Sequence, residues 1–107
     1  YSILNCSDAL WGIGVVEERK NNFKTSFEYG RQAIELNKWF DEERKRHCLY
    51  TIGLLLQSDQ LVTFGIKRDL ECSYNYISQA AKLGSAGAQQ ELKHYKRGLF
   101  GQLKYVK

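Results

Sequence analysis

Two histidines, His47 and His94, and three cysteines, Cys6, Cys48 and Cys72, are the side chains best suited to nucleophilic or metal chemistry. Their spacing argues against both. Zinc sites draw on short Cys-x-x-Cys or His-x-x-x-His steps and disulfide frameworks on pairs, and these widely separated residues offer neither. Cys48 follows His47 directly, but adjacent helical residues point about 100° apart, a poor geometry for moving a thiol proton to an imidazole. The nine glycines are scattered and form no Gly-x-x-x-x-Gly-Lys or Gly-x-Gly-x-x-Gly set, so no phosphate loop is read. No catalytic residue, metal or cofactor is therefore expected, and the chain reads as a non-enzyme. The histidines are expected in solvent. The cysteines are expected as small buried apolar residues, and unpaired thiols favour a reducing, cytoplasmic setting.

Such residues must sit on something, and 107 residues suffice for one domain with its own core. The longest apolar run, Leu54-Leu55-Leu56, is far short of the ~20 residues a bilayer span requires, so no membrane partner is expected. Tyr1-Ser2-Ile3-Leu4 carries neither a basic lead nor an initiator Met, so no secretory leader is read and a longer parent protein is expected. Charge is unevenly placed. From Tyr1 to Gln89 eleven basic residues balance eleven acidic ones, whereas Lys93, Lys96, Arg97, Lys104 and Lys107 face Glu91 alone and supply the whole net +4.

Proline is absent, so helix ends must come from Gly, Asn or Ser. The periodicity predicts five helices. The first covers about Ser7 to Lys20, with Ser7 or Asp8 as N-cap, and Asn21-Asn22 marks a turn. The second covers about Lys24 to Leu36, with Asn37 as a left-handed stop. The third, about Asp41 to Leu56, opens with acids and continues with Arg44-Lys45-Arg46, read as a solvated face with i,i+4 ion pairs. A loop from Gln57 to Lys67 tucks in Leu61, Val62, Phe64 and Ile66. Asp69 then caps a fourth helix ending at Leu83, with Gly84 as its stop. Ser85 caps a fifth, about Ala86 to Arg97, closed by Gly98, and Leu99 to Lys107 suggests a further half-helix.

Internal similarity is the strongest signal. Ala9-x-x-x-Ile13-Gly14 recurs as Cys48-x-x-x-Ile52-Gly53 and, more faintly, as Ala88-x-x-x-Leu92-Lys93, with starting points 39 and 40 residues apart. The partner helices match too: Ser26, Ala33 and Leu36 correspond to Ser73, Ala80 and Leu83 at a shift of 47. Small residues at Gly14, Ser26, Gly30 and Ala33, and again at Gly53, Ser73, Ala80 and Ala81, are what two antiparallel helices need to approach closely.

Asp69 to Gln89, containing Ala80-Ala81-Lys82-Leu83-Gly84-Ser85-Ala86-Gly87-Ala88-Gln89, resembles the second helix, the turn and the next opening of a Sel-one-like repeat. Leu49-Tyr50-Thr51-Ile52-Gly53 is similar to that family's first-helix signature and Gly65-Ile66 to its loop motif. The first repeat, with Ile13-Gly14, Ser26, Gly30 and Ala33, resembles a plain tetratricopeptide repeat. Departures are Glu17 where an aromatic is usual, Lys93 in place of a glycine, and the missing inter-repeat proline. The resemblance implies an all-α, α/α superhelical domain of about two and a half repeats, at residues 7–37, 41–84 and 85–107.

Carrying over the family's groove positions gives Asp8, Trp11, Val15 and Glu18 from the first repeat. The second gives His47, Tyr50, Leu54 and Gln57, and the third Gln90, His94 and Arg97. The expected function is recognition of a protein or peptide along that groove. The alternative is a nucleic-acid accessory domain using Lys93, Lys96, Arg97, Lys104 and Lys107, with Phe100 and Tyr105 interleaved for stacking.

Overall fold

The structure is a computed structural model that describes residues 5–106. Five helices are seen there: α1 (Ser7–Arg19), α2 (Phe23–Leu36), α3 (Glu42–Gln57), α4 (Leu70–Lys82) and α5 (Ala86–Leu92). An antiparallel hairpin follows, β1 (Tyr95–Arg97) paired with β2 (Leu103–Tyr105). The chain is mostly helical. Tyr1 to Leu4, on which the leader reading fell, and Lys107 lie outside the described residues.

Local chemistry sets most helix ends. Asn21 (φ 64°) and Asn37 (φ 51°) take the left-handed conformation that short amide side chains tolerate, and Gly84 does so at φ 100°. Asp41 accepts from the Glu43 and Arg44 N–H groups, Asp69 from Cys72 and Ser85 from Ala88, each satisfying donors left open at a helix start. The expected caps of α1 behave differently. Cys6 holds the N-cap position with no side-chain capping bond, its thiol donating to Asp8 Oδ1 at 3.8 Å. Ser7 is buried, donates its hydroxyl to the Ala33 carbonyl at 2.8 Å and accepts the Lys38 N–H at 2.8 Å. Asp8 accepts from the backbone of Phe40 and Asp41. Both residues thus fasten the start of α1 to the α2–α3 connection.

The two pairs α1/α2 and α3/α4 cross at their glycines. A Cβ on Gly14 would lie 2.7 Å from the Trp11 ring and 3.4 Å from the Ser26 carbonyl oxygen; one on Gly53 would lie 2.5 Å from Ile77 and 3.3 Å from the Ser73 carbonyl oxygen. No side chain fits in either gap without displacing a neighbour. The two crossings differ in one atom's environment. The Ser73 hydroxyl donates to the Gly53 carbonyl at 2.7 Å, whereas the buried Ser26 hydroxyl has no hydrogen-bond partner among the described residues.

Two clusters form the core. One gathers Leu10, Trp11, Phe27, Ala33, Cys48, Ile52, Leu55, Leu56 and Leu61; the other gathers Leu49, Ile77, Ala80, Ala88 and Tyr95. Ile34 and Tyr76 pack against both and join them. The result is an elongated body of 49 × 32 × 21 Å.

Several expectations are corrected. α5 stops at Leu92, not Arg97, and Leu99 to Tyr105 is no half-helix. The Tyr95 side chain is buried beneath α4, which draws the chain out of helical geometry, and Gly101 (φ 83°) closes the turn. Val62 and Phe64, expected inside, are exposed on a single 3-10 turn, and only Leu61 of that loop is buried. Cys48 alone of the thiols is buried; Cys6 is half-buried and Cys72 is exposed on the outer face of α4. The charged start of α3 forms i,i+3 pairs, Arg44–Asp41 and Arg46–Glu43. Arg46 also reaches the Leu83 carbonyl at 3.0 Å, where a cation suits the negative end of α4.

The crossings generate a paired prediction. Ser73→Ala leaves buried groups unsatisfied and is expected to cost about 1–3 kcal/mol in urea denaturation. Ser26→Ala removes an unpaired hydroxyl and favours the helix, so it is expected to be neutral or slightly stabilising.

Candidate functional site: an open cleft between α1 and α3

The first helices of the two pairs lie side by side. Trp11 on α1 is 1% exposed, and its indole N–H donates to His47 Nδ1 on α3 at 3.0 Å, with ring centroids 5.6 Å apart. That bond requires the imidazole tautomer protonated on Nε2. An open cleft of about 360 Å³ lies here, lined by Trp11, Val15, Asp41, Glu43, Arg44 and His47. Its floor is apolar and its rim carries both signs of charge, with Arg44 Nε 3.8 Å from Asp41 Oδ2.

The structure divides the expected groove residues. Trp11, Val15 and His47 come together in the cleft. Trp11 is nevertheless a floor residue fixed by core packing, so it does not project toward a partner. Asp8 is spent on the backbone of Phe40 and Asp41, and Glu18 is half-buried on α1 outside the cleft lining. Asp41, Glu43 and Arg44 were missed as site residues because their charge run reads as a solvated face. The available signal was the spacing of Glu43 and Arg44, one turn before His47 along α3, with Asp41 at that helix's N-cap.

Farther along α3 the same face is internal. Tyr50 and Leu54 are half-buried against the second core cluster, and the Tyr50 ring occupies space above Gly87 that a Cβ would enter at 2.8 Å. Burial, then the Glu91 charge, pushes the Tyr50 hydroxyl above its ordinary pKa. Gln57 donates to Glu91 at 2.9 Å and to the Tyr95 hydroxyl at 3.0 Å. Tyr95 and Ser73 share a hydrogen bond, and since Ser73 spends its proton on the Gly53 carbonyl, Tyr95 is the donor. Tyr105 donates to Glu91 at 2.7 Å. This polar knot ties α3, α4, α5 and both strands together.

The third group of expected groove residues leaves the face altogether. Gln90 is exposed on α5, outside the cleft lining. His94, expected in solvent on a helix, is half-buried before β1 with its ring 5.6 Å from that of Tyr105. Arg97 makes a two-pronged bond to Glu71 on α4, at 2.9 and 3.3 Å, and reaches the Gly101 carbonyl at 2.8 Å. Its guanidinium is thereby committed to holding the hairpin on α4. Lys93, Lys96 and Lys104 are exposed, and Lys96 faces Lys104 across the ribbon. These residues belong to the hairpin end of the molecule, apart from the cleft.

The buried thiol, Cys48, points inward. Cys48 donates toward the Gly30 carbonyl at 3.6 Å, and burial pushes its thiol far above the usual range, opposite to what an attacking thiolate needs. His47 bonds Trp11 instead. Among the described residues no group of three or more His, Cys, Asp or Glu is placed to hold a metal ion. No helix there is long and apolar enough to cross a membrane.

Compared with protein-family models, with curated proteins and with solved structures, the chain matches none.

The knot makes stability sensitive to alkali. Burial and the Glu91 carboxylate push Tyr105 from its ordinary 10.0 up to about 12. A group raised in the folded state contributes fully below its unfolded pKa and loses that contribution as pH passes the folded value. Stability attributable to Tyr105 is therefore expected to hold up to about pH 10 and fall from there toward about 12. Circular dichroism of urea titrations across this window should show the fall in the native chain and a smaller one in Tyr105→Phe, which starts about 1–2 kcal/mol less stable.

Proposed function

We propose that the chain is a non-catalytic interaction module of stacked helix pairs, of the Sel-one-like and tetratricopeptide type, that binds a peptide segment of a partner protein. The observation that carries the reading is the open cleft over Trp11 and Val15, rimmed by Asp41, Glu43, Arg44 and His47. An apolar floor with a few fixed polar groups suits a short segment offering one apolar anchor and flanking charges.

The arrangement of helices supports the repeat reading. α1 meets α3 through Trp11 and His47, and α3 meets α5 through Tyr50 and Gly87, so first helices are neighbours in sequence order. α2 and α4 each pair with the helix before them in the antiparallel sense, Ser7 lying against Ala33 and Arg46 against Leu83. The binding face is shorter than the family positions imply. It ends before Tyr50, because Tyr50, Leu54 and Gln57 are engaged in packing and in the knot. The nucleic-acid reading has less support, since Arg97, its strongest phosphate ligand, is held by Glu71.

The reading is tested by panning a random-peptide library on the chain and measuring the isolates by fluorescence anisotropy. Isolates are expected to lose about tenfold or more in affinity on Val15→Asp or His47→Ala and to be indifferent to Lys104→Gln. A library that yields no binder, or binders unaffected by either cleft substitution, contradicts it.

A further inference from the structure

The hairpin tip carries the largest exposed apolar side chains of the C-terminal end: Leu99 is 92% and Phe100 is 89% exposed. Water-facing turns ordinarily leave backbone groups to the solvent, yet this one is internally bonded. Gly98 N–H donates to Gln102 O at 2.7 Å, Gly101 N–H to Gly98 O at 3.0 Å and Phe100 N–H to the Gln102 side chain at 3.2 Å. The Gly101 carbonyl takes the Arg97 guanidinium. With the Gly98, Phe100 and Gly101 N–H groups and the Gly98 and Gly101 carbonyls paired within the hairpin, the turn enters an apolar medium at lower cost than a fully open one. Behind the tip, Lys96 and Lys104 pair in register on the outward face, and among the described residues no carboxylate lies within ion-pair reach of either.

We infer that this hairpin is a membrane-surface anchor: Leu99 and Phe100 insert into an anionic lipid bilayer while Lys96 and Lys104 bind its headgroups. The dimensions agree. The lysines stand two residues behind Gly98, roughly 7 Å along a strand, and interfacial apolar groups sit about 5–10 Å deep. Their flexible stems let the ammonium groups stay at headgroup level as the tip enters. Leu99 argues against a nucleic-acid ligand, because an aliphatic side chain offers no ring for a base to stack on. A two-residue tip escapes a search for spanning segments, which is why the sequence alone pointed to no membrane partner.

The test is co-sedimentation of the 107-residue chain with vesicles of phosphatidylcholine alone and of equimolar phosphatidylcholine and phosphatidylserine. Binding is expected on the anionic vesicles only, weakening with added salt. Replacing Leu99 and Phe100 together by Ser should weaken it by on the order of tenfold or more, and Lys96→Gln with Lys104→Gln by on the order of twentyfold. The tip side chains are almost wholly exposed, so the Ser variant should keep the native far-ultraviolet spectrum, and Val15→Asp should bind vesicles normally whatever becomes of the cleft. Absence of partition into anionic vesicles overturns the proposal, as does a Ser variant that binds equally well. Binding to single-stranded DNA with no vesicle partition assigns the lysines to phosphodiesters and overturns it too.

Discussion

Two helix crossings at glycines, where a Cβ would meet Trp11 of the same helix at Gly14 and Ile77 of the partner helix at Gly53, govern how this molecule is put together. At Gly14 and Gly53 the backbone of the partner helix, at the Ser26 and Ser73 carbonyls, lies within van der Waals reach of the glycine. Small residues there shorten the distance between helix axes, and that shortening brings Trp11 under Gly30 and Ile77 over Gly53. The cores of both pairs follow from it. So does the cleft, whose floor is the indole held between α1 and α2 and steered by His47 of the next pair.

The far end of the molecule is organised by polar satisfaction. Six side-chain and backbone groups from α3, α4, α5 and the hairpin meet in the chain running from the Gly53 carbonyl through Ser73, Tyr95, Gln57 and Glu91 to Tyr105. Its proton directions can all be assigned without conflict, the condition under which a buried polar network specifies a unique arrangement. The short hairpin covers the exposed end of α4 and α5, and its tip is left projecting. The two ends thus differ in character: an apolar-floored cleft near the start of α3, and a basic ribbon with an apolar tip at the end of the chain.

The helices were legible because their signals are local. Asn37, Asp69, Gly84 and Ser85 act at the positions their chemistry predicts, and the repeated glycine and serine spacing marks the two crossings. What escaped is non-local. Ser7 and Asp8 carry the features of helix caps, but their acceptors and donors are Ala33, Lys38, Phe40 and Asp41, more than twenty residues away. The strands have three residues each, too few for alternation to register, and their existence depends on Tyr95 finding Ser73. Of the groove positions, Trp11, Val15 and His47 share a cleft, whereas Gln57, His94 and Arg97 face internal partners that no spacing rule discloses.

The close approach of α3 to α4 is tested most directly by measuring unfolding free energies for Gly53→Ala, Ile77→Ala and the double variant, with Gly12→Ala as reference. Gly12 has only the Arg44 side chain near its missing Cβ, at 4.0 Å, so alanine there should stabilise by about 0.5–1 kcal/mol through helix propensity. At Gly53 the account predicts a loss of about 1–3 kcal/mol, reduced or reversed once Ile77 is truncated. An alanine at Gly53 that stabilises as Gly12→Ala does, with no coupling to Ile77, would contradict it.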